Sequence, residues 1–124
     1  MIRAIVLAWI IGPFAGSVAS AQPPQFATEL VQIVGTWQGT LTTRGQHYPI
    51  TLTIQANGSW ESVVPGIGTG HFSGTVRVVD GEFRYHTNEN GIDGTYTLRE
   101  GDGTRVLELL NDPHTTSASM APKR

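Results

Sequence analysis

Four histidines, at positions 47, 71, 86 and 114, are the side chains of this sequence with the widest chemical range. A zinc site needs at least three converging ligands, and no histidine here stands two or four positions from another. His71 alternates with Phe72 and His86 with Tyr85, so with the aromatic partner inside each histidine faces solvent. Asp80, Glu82, Asp93, Glu100 and Asp102 fall in turns, where such residues serve backbone geometry. Glu61 and Glu108 alternate with apolar neighbours and point outward. None of these carboxylates has a reason to be buried with a raised pKa, the state general acid catalysis wants. Ser59, Ser62 and Ser73 lack the strand–turn–helix elbow of a nucleophile. The expectation is therefore a protein that is not an enzyme and that uses no metal and no cofactor.

Gly66-Ile67-Gly68-Thr69-Gly70 has the glycine density of a phosphate loop. Such loops need a helix N-terminus and a Lys-Ser/Thr ending, whereas a strand follows here. The segment reads as a flexible connection at the mouth of a barrel, able to act as a lid over a cavity. Asn57-Gly58-Ser59 matches a glycosylation sequon, but a hairpin turn explains it better.

The aromatic set carries the most information. Trp37, Tyr48, Trp60, Phe72, Phe83, Tyr85 and Tyr96 are spread over the strand-like part of the chain. By alternation Trp60, Phe72, Phe83, Tyr85 and Tyr96 point inward. Two readings follow. The rings fill a narrow barrel, as side chains usually do in small ones. Alternatively Trp60, Phe72, Tyr85 and Tyr96 hold a small apolar or amphiphilic ligand, with tyrosine hydroxyls as the polar handle.

The elements that must position these residues follow from periodicity. Phe26, Leu30 and Val34 are four apart, the spacing of one helical face, and predict a short helix stopped by Gly35. From Gly35 onward the period becomes 2 and turn signals recur. Ile50, Leu52 and Ile54 share a face, as do Phe72, Gly74, Val76 and Val78. Asn57-Gly58, Asp80-Gly81 and Gly101-Asp102-Gly103 turn the chain. Seven strands up to Leu110, joined by short local turns, favour sequential antiparallel pairing. Such a set must stack or close, and closure removes exposed edges. The expected fold is all-β: an antiparallel up-and-down barrel of seven or eight strands with a short N-terminal helix. Residues 22–110 would form this domain, and Asn111 to Arg124, small or polar and without period, a disordered tail.

The chain has 124 residues, no cysteine and a formal net charge of −2, with 15% charged side chains. Met1-Ile2-Arg3, the apolar run Ala4 to Ile11 and Ala19-Ser20-Ala21 have the layout of a secretory signal peptide over residues 1–21. It is too short and interrupted to span a bilayer. The expected location is periplasmic or secreted, with no stable membrane insertion. Without cysteine there is no disulfide framework, thiolate site or lipid-modified cysteine. A mildly acidic chain lacks the basic stripe a nucleic-acid partner would require.

Val34-Gly35-Thr36-Trp37, at the start of the first strand, resembles the Gly-X-Trp signature of lipocalins and related calycins. The chain also resembles small exported bacterial proteins of unknown function with this outline. The resemblance, whose signature residues here are Gly35, Trp37 and Arg105, implies a barrel in which Trp37 closes one end and an arginine from a late strand, here Arg105, packs over the indole. The chain is shorter than a typical lipocalin. The late tryptophans of avidin biotin sites have no counterpart after Trp60, so biotin binding is not implied.

These readings combine into an exported, lipocalin-like β-barrel that binds a small apolar or amphiphilic ligand through Trp60, Phe72, Tyr85 and Tyr96. The alternative is a filled barrel acting through its surface, as an envelope interaction protein or an inhibitor of a secreted enzyme. Arg44 to His47 and Asn88 to Asp93 would then carry the contact with a protein partner.

Overall fold

The structure, a computed structural model, describes residues 29–123. Eight antiparallel strands close in simple sequential order, each paired with its neighbours and the last with the first. They are β1 (Gly35–Thr43), β2 (Gln46–Ile54), β3 (Ser59–Val63), β4 (His71–Val79), β5 (Glu82–Thr87), β6 (Asp93–Gly101), β7 (Thr104–Asn111) and β8 (Thr116–Pro122). The expected all-β up-and-down barrel is the observed architecture, with eight strands.

Three of the hairpins are made by two residues with positive φ: Arg44-Gly45 (53° and 74°), Asp80-Gly81 (51° and 79°) and Asp102-Gly103 (53° and 76°). That pair of angles matches the right-handed twist of the flanking strands, and glycine in second place adopts it without strain. The Asn57-Gly58 turn forms as its sequence implies, with Asn57 Oδ1 accepting from the Ser59 backbone N–H at 2.9 Å and its hydroxyl at 2.7 Å.

Two expectations are corrected. The stretch after Asn111 is not a disordered tail: β8 pairs with β1 from Trp37↔Pro122 to Thr43↔Thr116 and with β7 from Leu107↔Met120 to Leu110↔Ser117. Its apolar alternation is short, resting on Ala118 and Met120, both buried. Ladder hydrogen bonds to two finished neighbours do the rest. The N-terminal helix is not seen either. Its described part is a single 3-10 turn, Leu30–Ile33, after which the backbone is extended at Val34 (ψ 135°) and β1 begins at Gly35. Phe26 and the signal peptide expected over residues 1–21 lie outside the described residues.

One end of the barrel is closed. The 3-10 turn caps it, and the Trp37 indole N–H donates to the Ile33 carbonyl at 3.0 Å. The Arg105 guanidinium lies over the Trp37 ring at 5.3 Å from its centroid and donates to the Gln32 carbonyl. The contact implied between Arg105 and the Trp37 ring is therefore present. Glu100 holds the other side of Arg105 at 3.0 Å. Ile33, Trp37, Ile54, Leu98, Leu107 and Met120 make this end an apolar plug.

Candidate functional site

Above the plug the interior is not filled. A cavity of about 640 Å³ opens at the far end, where the chain makes its β1–β2, β3–β4, β5–β6 and β7–β8 connections. That volume lies in the range of small-molecule sites. Trp60, Phe72, Tyr85 and Tyr96, the four residues expected to converge, all line it. Phe83, also expected inside, is buried but belongs to the plug side.

Two glycines let the rings lie along the wall. Trp60 of β3 is paired with Gly74 of β4, and Tyr85 of β5 with Gly94 of β6. A Cβ at Gly74 would fall 2.8 Å from the Trp60 ring, and one at Gly94 2.5 Å from Tyr85. The indole and phenol thus cover bare backbone instead of projecting into the lumen. Trp60 meets Tyr85 edge to face at 6.0 Å, and Tyr85 stacks on Tyr96 at 4.8 Å. Burial pushes the Tyr85 phenol above its ordinary range and the Tyr96 phenol well above it. Both are neutral donors at any ordinary pH. The Tyr96 hydroxyl is buried and has no hydrogen-bond partner among the described residues.

Polarity runs along the barrel axis. The buried polar side chains among the described residues are Ser62, Thr87 and Asn111, and all three line the cavity. Each occupies the inward position next to the mouth on a strand whose deeper inward positions are apolar or aromatic: Trp60 before Ser62, Tyr85 before Thr87, Leu109 before Asn111. Asn111 is occupied structurally. Its Oδ1 accepts from the Thr115 and Thr116 backbone N–H groups at 2.9 and 3.0 Å, and its Nδ2 donates to the Thr115 hydroxyl at 2.9 Å. Thr43 and Thr116 extend the polar rim across β1 and β8, their hydroxyls 2.8 Å apart.

The glycine-rich connection after β3 leans over this mouth. Gly66, Ile67 and Gly68 line the cavity, and Gly66 sits against the Tyr48 ring, where a Cβ would approach to 3.2 Å. The segment expected to be flexible is closed on itself by backbone bonds from Val64 to Gly70, Ile67 to Val64 and Gly70 to Ile67. Next to it on the rim the β5–β6 loop is tied down by Glu89, whose carboxylate accepts from the Ser73 N–H at 2.8 Å and its hydroxyl at 2.9 Å. These bonds hold the Glu89 carboxyl below its ordinary pKa. Ser73 is thus an anchor for a loop.

The histidines lie apart. His47 is bonded to Thr42 at 2.8 Å, and His86 to Asp93 at 2.6 Å on the outer wall. Among the described residues no three His, Cys, Asp or Glu side chains gather where a metal could be held. Alternation alone could have added Tyr48, Ser62, Thr87 and Asn111 to the expected site, since each shares a face with residues already placed inside. Arg44, which also lines the mouth, gave no such signal, because a turn residue has no period. Comparison with known proteins returned no matching family model, no matching curated protein and no matching solved structure.

Proposed function

We propose that this chain is an exported, lipocalin-like binding protein whose barrel takes a small apolar or amphiphilic ligand. The observation that carries the reading is the open cavity of about 640 Å³, aromatic and aliphatic toward the plug and polar at the rim. A barrel stabilised only by its own packing gains nothing from such a space, because unfilled volume forfeits dispersion contacts and transfer free energy. Burying hydroxyls around it costs more still unless a partner satisfies them. A ligand with an apolar body and a polar end meets both demands. Trp60, Phe72, Tyr85 and Tyr96 would contact the body, and Gly66 to Gly68 would border its entry.

Neutral alkanols test this reading without calling on charge. Titration with octanol, decanol and dodecanol, followed by tryptophan fluorescence, should give saturable binding. Affinity should tighten about fourfold per added CH2, the factor expected for burying each methylene. The signal should vanish in Trp60→Phe and persist with Trp37 alone changed. Absence of saturable binding across the series would refute the cavity reading.

A further inference from the structure

The rim holds a second clue, which bears on the kind of ligand and rests on the cavity being a binding site. Of the residues lining the cavity, one is charged: Arg44. No carboxylate lines it, although the described part of the chain carries ten acidic side chains. Three arginines outside the cavity are paired, Arg84 with Asp112 at 2.6 Å, Arg99 with Glu108 at 2.7 Å and Arg105 with Glu100 at 3.0 Å, while Arg77, exposed on β4, makes no ion pair among the described residues and does not line the cavity. Arg44 makes no ion pair among the described residues. It also stands at the first central position of a two-residue hairpin, with φ of 53°. The two equivalent positions, in the Asp80-Gly81 and Asp102-Gly103 turns, carry the aspartates that such a turn favours.

Beside Arg44 lie Thr43, Thr115 and Thr116, all on the cavity wall. The Thr115 hydroxyl already accepts from Asn111 Nδ2, so its proton is free to be donated. A guanidinium and a hydroxyl donor together, with no competing carboxylate, suit an anionic oxygen acid.

We propose that the ligand is a single-chain carboxylate amphiphile bound head outward. Its carboxylate meets Arg44 and the Thr115 hydroxyl at the rim, and its chain descends past Trp60 and Tyr85 toward the plug. The reverse orientation would put a charge among aromatic side chains, with a neutral phenol as the nearest polar group. Desolvation makes that the poorer arrangement.

The test compares dodecanoate, dodecanol and dodecyltrimethylammonium by calorimetry, on the unaltered protein and on Arg44→Asn. Asparagine tolerates the left-handed turn, so this variant is expected to fold. Dodecanoate should bind about tenfold tighter than dodecanol, and the cation more weakly than either, in line with a half-exposed charge-assisted pair. Arg44→Asn should erase the advantage of the acid and leave dodecanol affinity within about twofold. Salt should weaken dodecanoate binding to the unaltered protein and not to the variant. Equal affinity for acid and alcohol, or an advantage that survives Arg44→Asn, would overturn the head-group assignment and leave the cavity reading standing. Failure of all three probes to bind would overturn both.

Discussion

The Tyr96 hydroxyl is the least comfortable group in the molecule. It is buried and lacks a partner among the described residues, on a side chain that lines the cavity. Leaving such a group unpaired costs about 1–3 kcal/mol. Tyr96→Phe should therefore raise the stability of the ligand-free protein by about 1 kcal/mol in chemical denaturation. A loss of stability would show that the hydroxyl has a partner in solution. Sequence reading placed Tyr96 inside correctly, because Tyr96 and Leu98 alternate with the exposed Thr97 and Arg99. It could not show that the hydroxyl would lack a partner. That depends on which backbone groups the sheet uses up, and only the closed register settles it.

At the scale of elements, the turns were the most legible features and the final strand the least. Arg44-Gly45, Asp80-Gly81, Asp102-Gly103 and Asn57-Gly58 announce themselves because positive φ restricts residue choice. Thr116–Pro122 does not, since its inward positions begin with Thr116, Ala118 and Met120 and its outward ones are two serines and an alanine. Its strand character comes from the vacant edges of β1 and β7, a non-local cause that no window of sequence contains. Truncation after Asn111 should consequently do more than remove a short segment. It would bare two long edges and open the plug beside Met120, and unpaired edges recruit other chains. The truncated chain is expected to sediment as aggregate or to lose its two-state melt, whereas trimming at Lys123 alone should have little effect. A monomeric, cooperative truncation product would show that β8 is dispensable for closure.

Across the whole molecule, the two stacked phenols couple stability to high pH. Burial raises both Tyr85 and Tyr96, so the folded state keeps their protons where the unfolded chain releases them. The sign follows directly: their contribution is intact below the ordinary tyrosine value of 10 and is lost as pH climbs above it. The melting temperature should therefore fall steeply above about pH 10, at up to ~1.4 kcal/mol per pH unit for each fully protected phenol. The tyrosinate absorbance of Tyr85 and Tyr96 should appear together with unfolding. Titration of both phenols in a protein that stays folded would contradict the burial described for them.

The two described ends of the chain share one side of this barrel. β1 starts at Gly35 beside the capped end, and the chain leaves β8 there, with the Lys123 N–H bonded to the Thr36 carbonyl at 2.8 Å. The cavity opens on the opposite side. A group joined directly at Lys123, whether a linker or a reporter, would therefore hang from the sealed pole. A molecule immobilised through Lys123 would present its mouth away from the support, so attachment and loading would not compete for the same space.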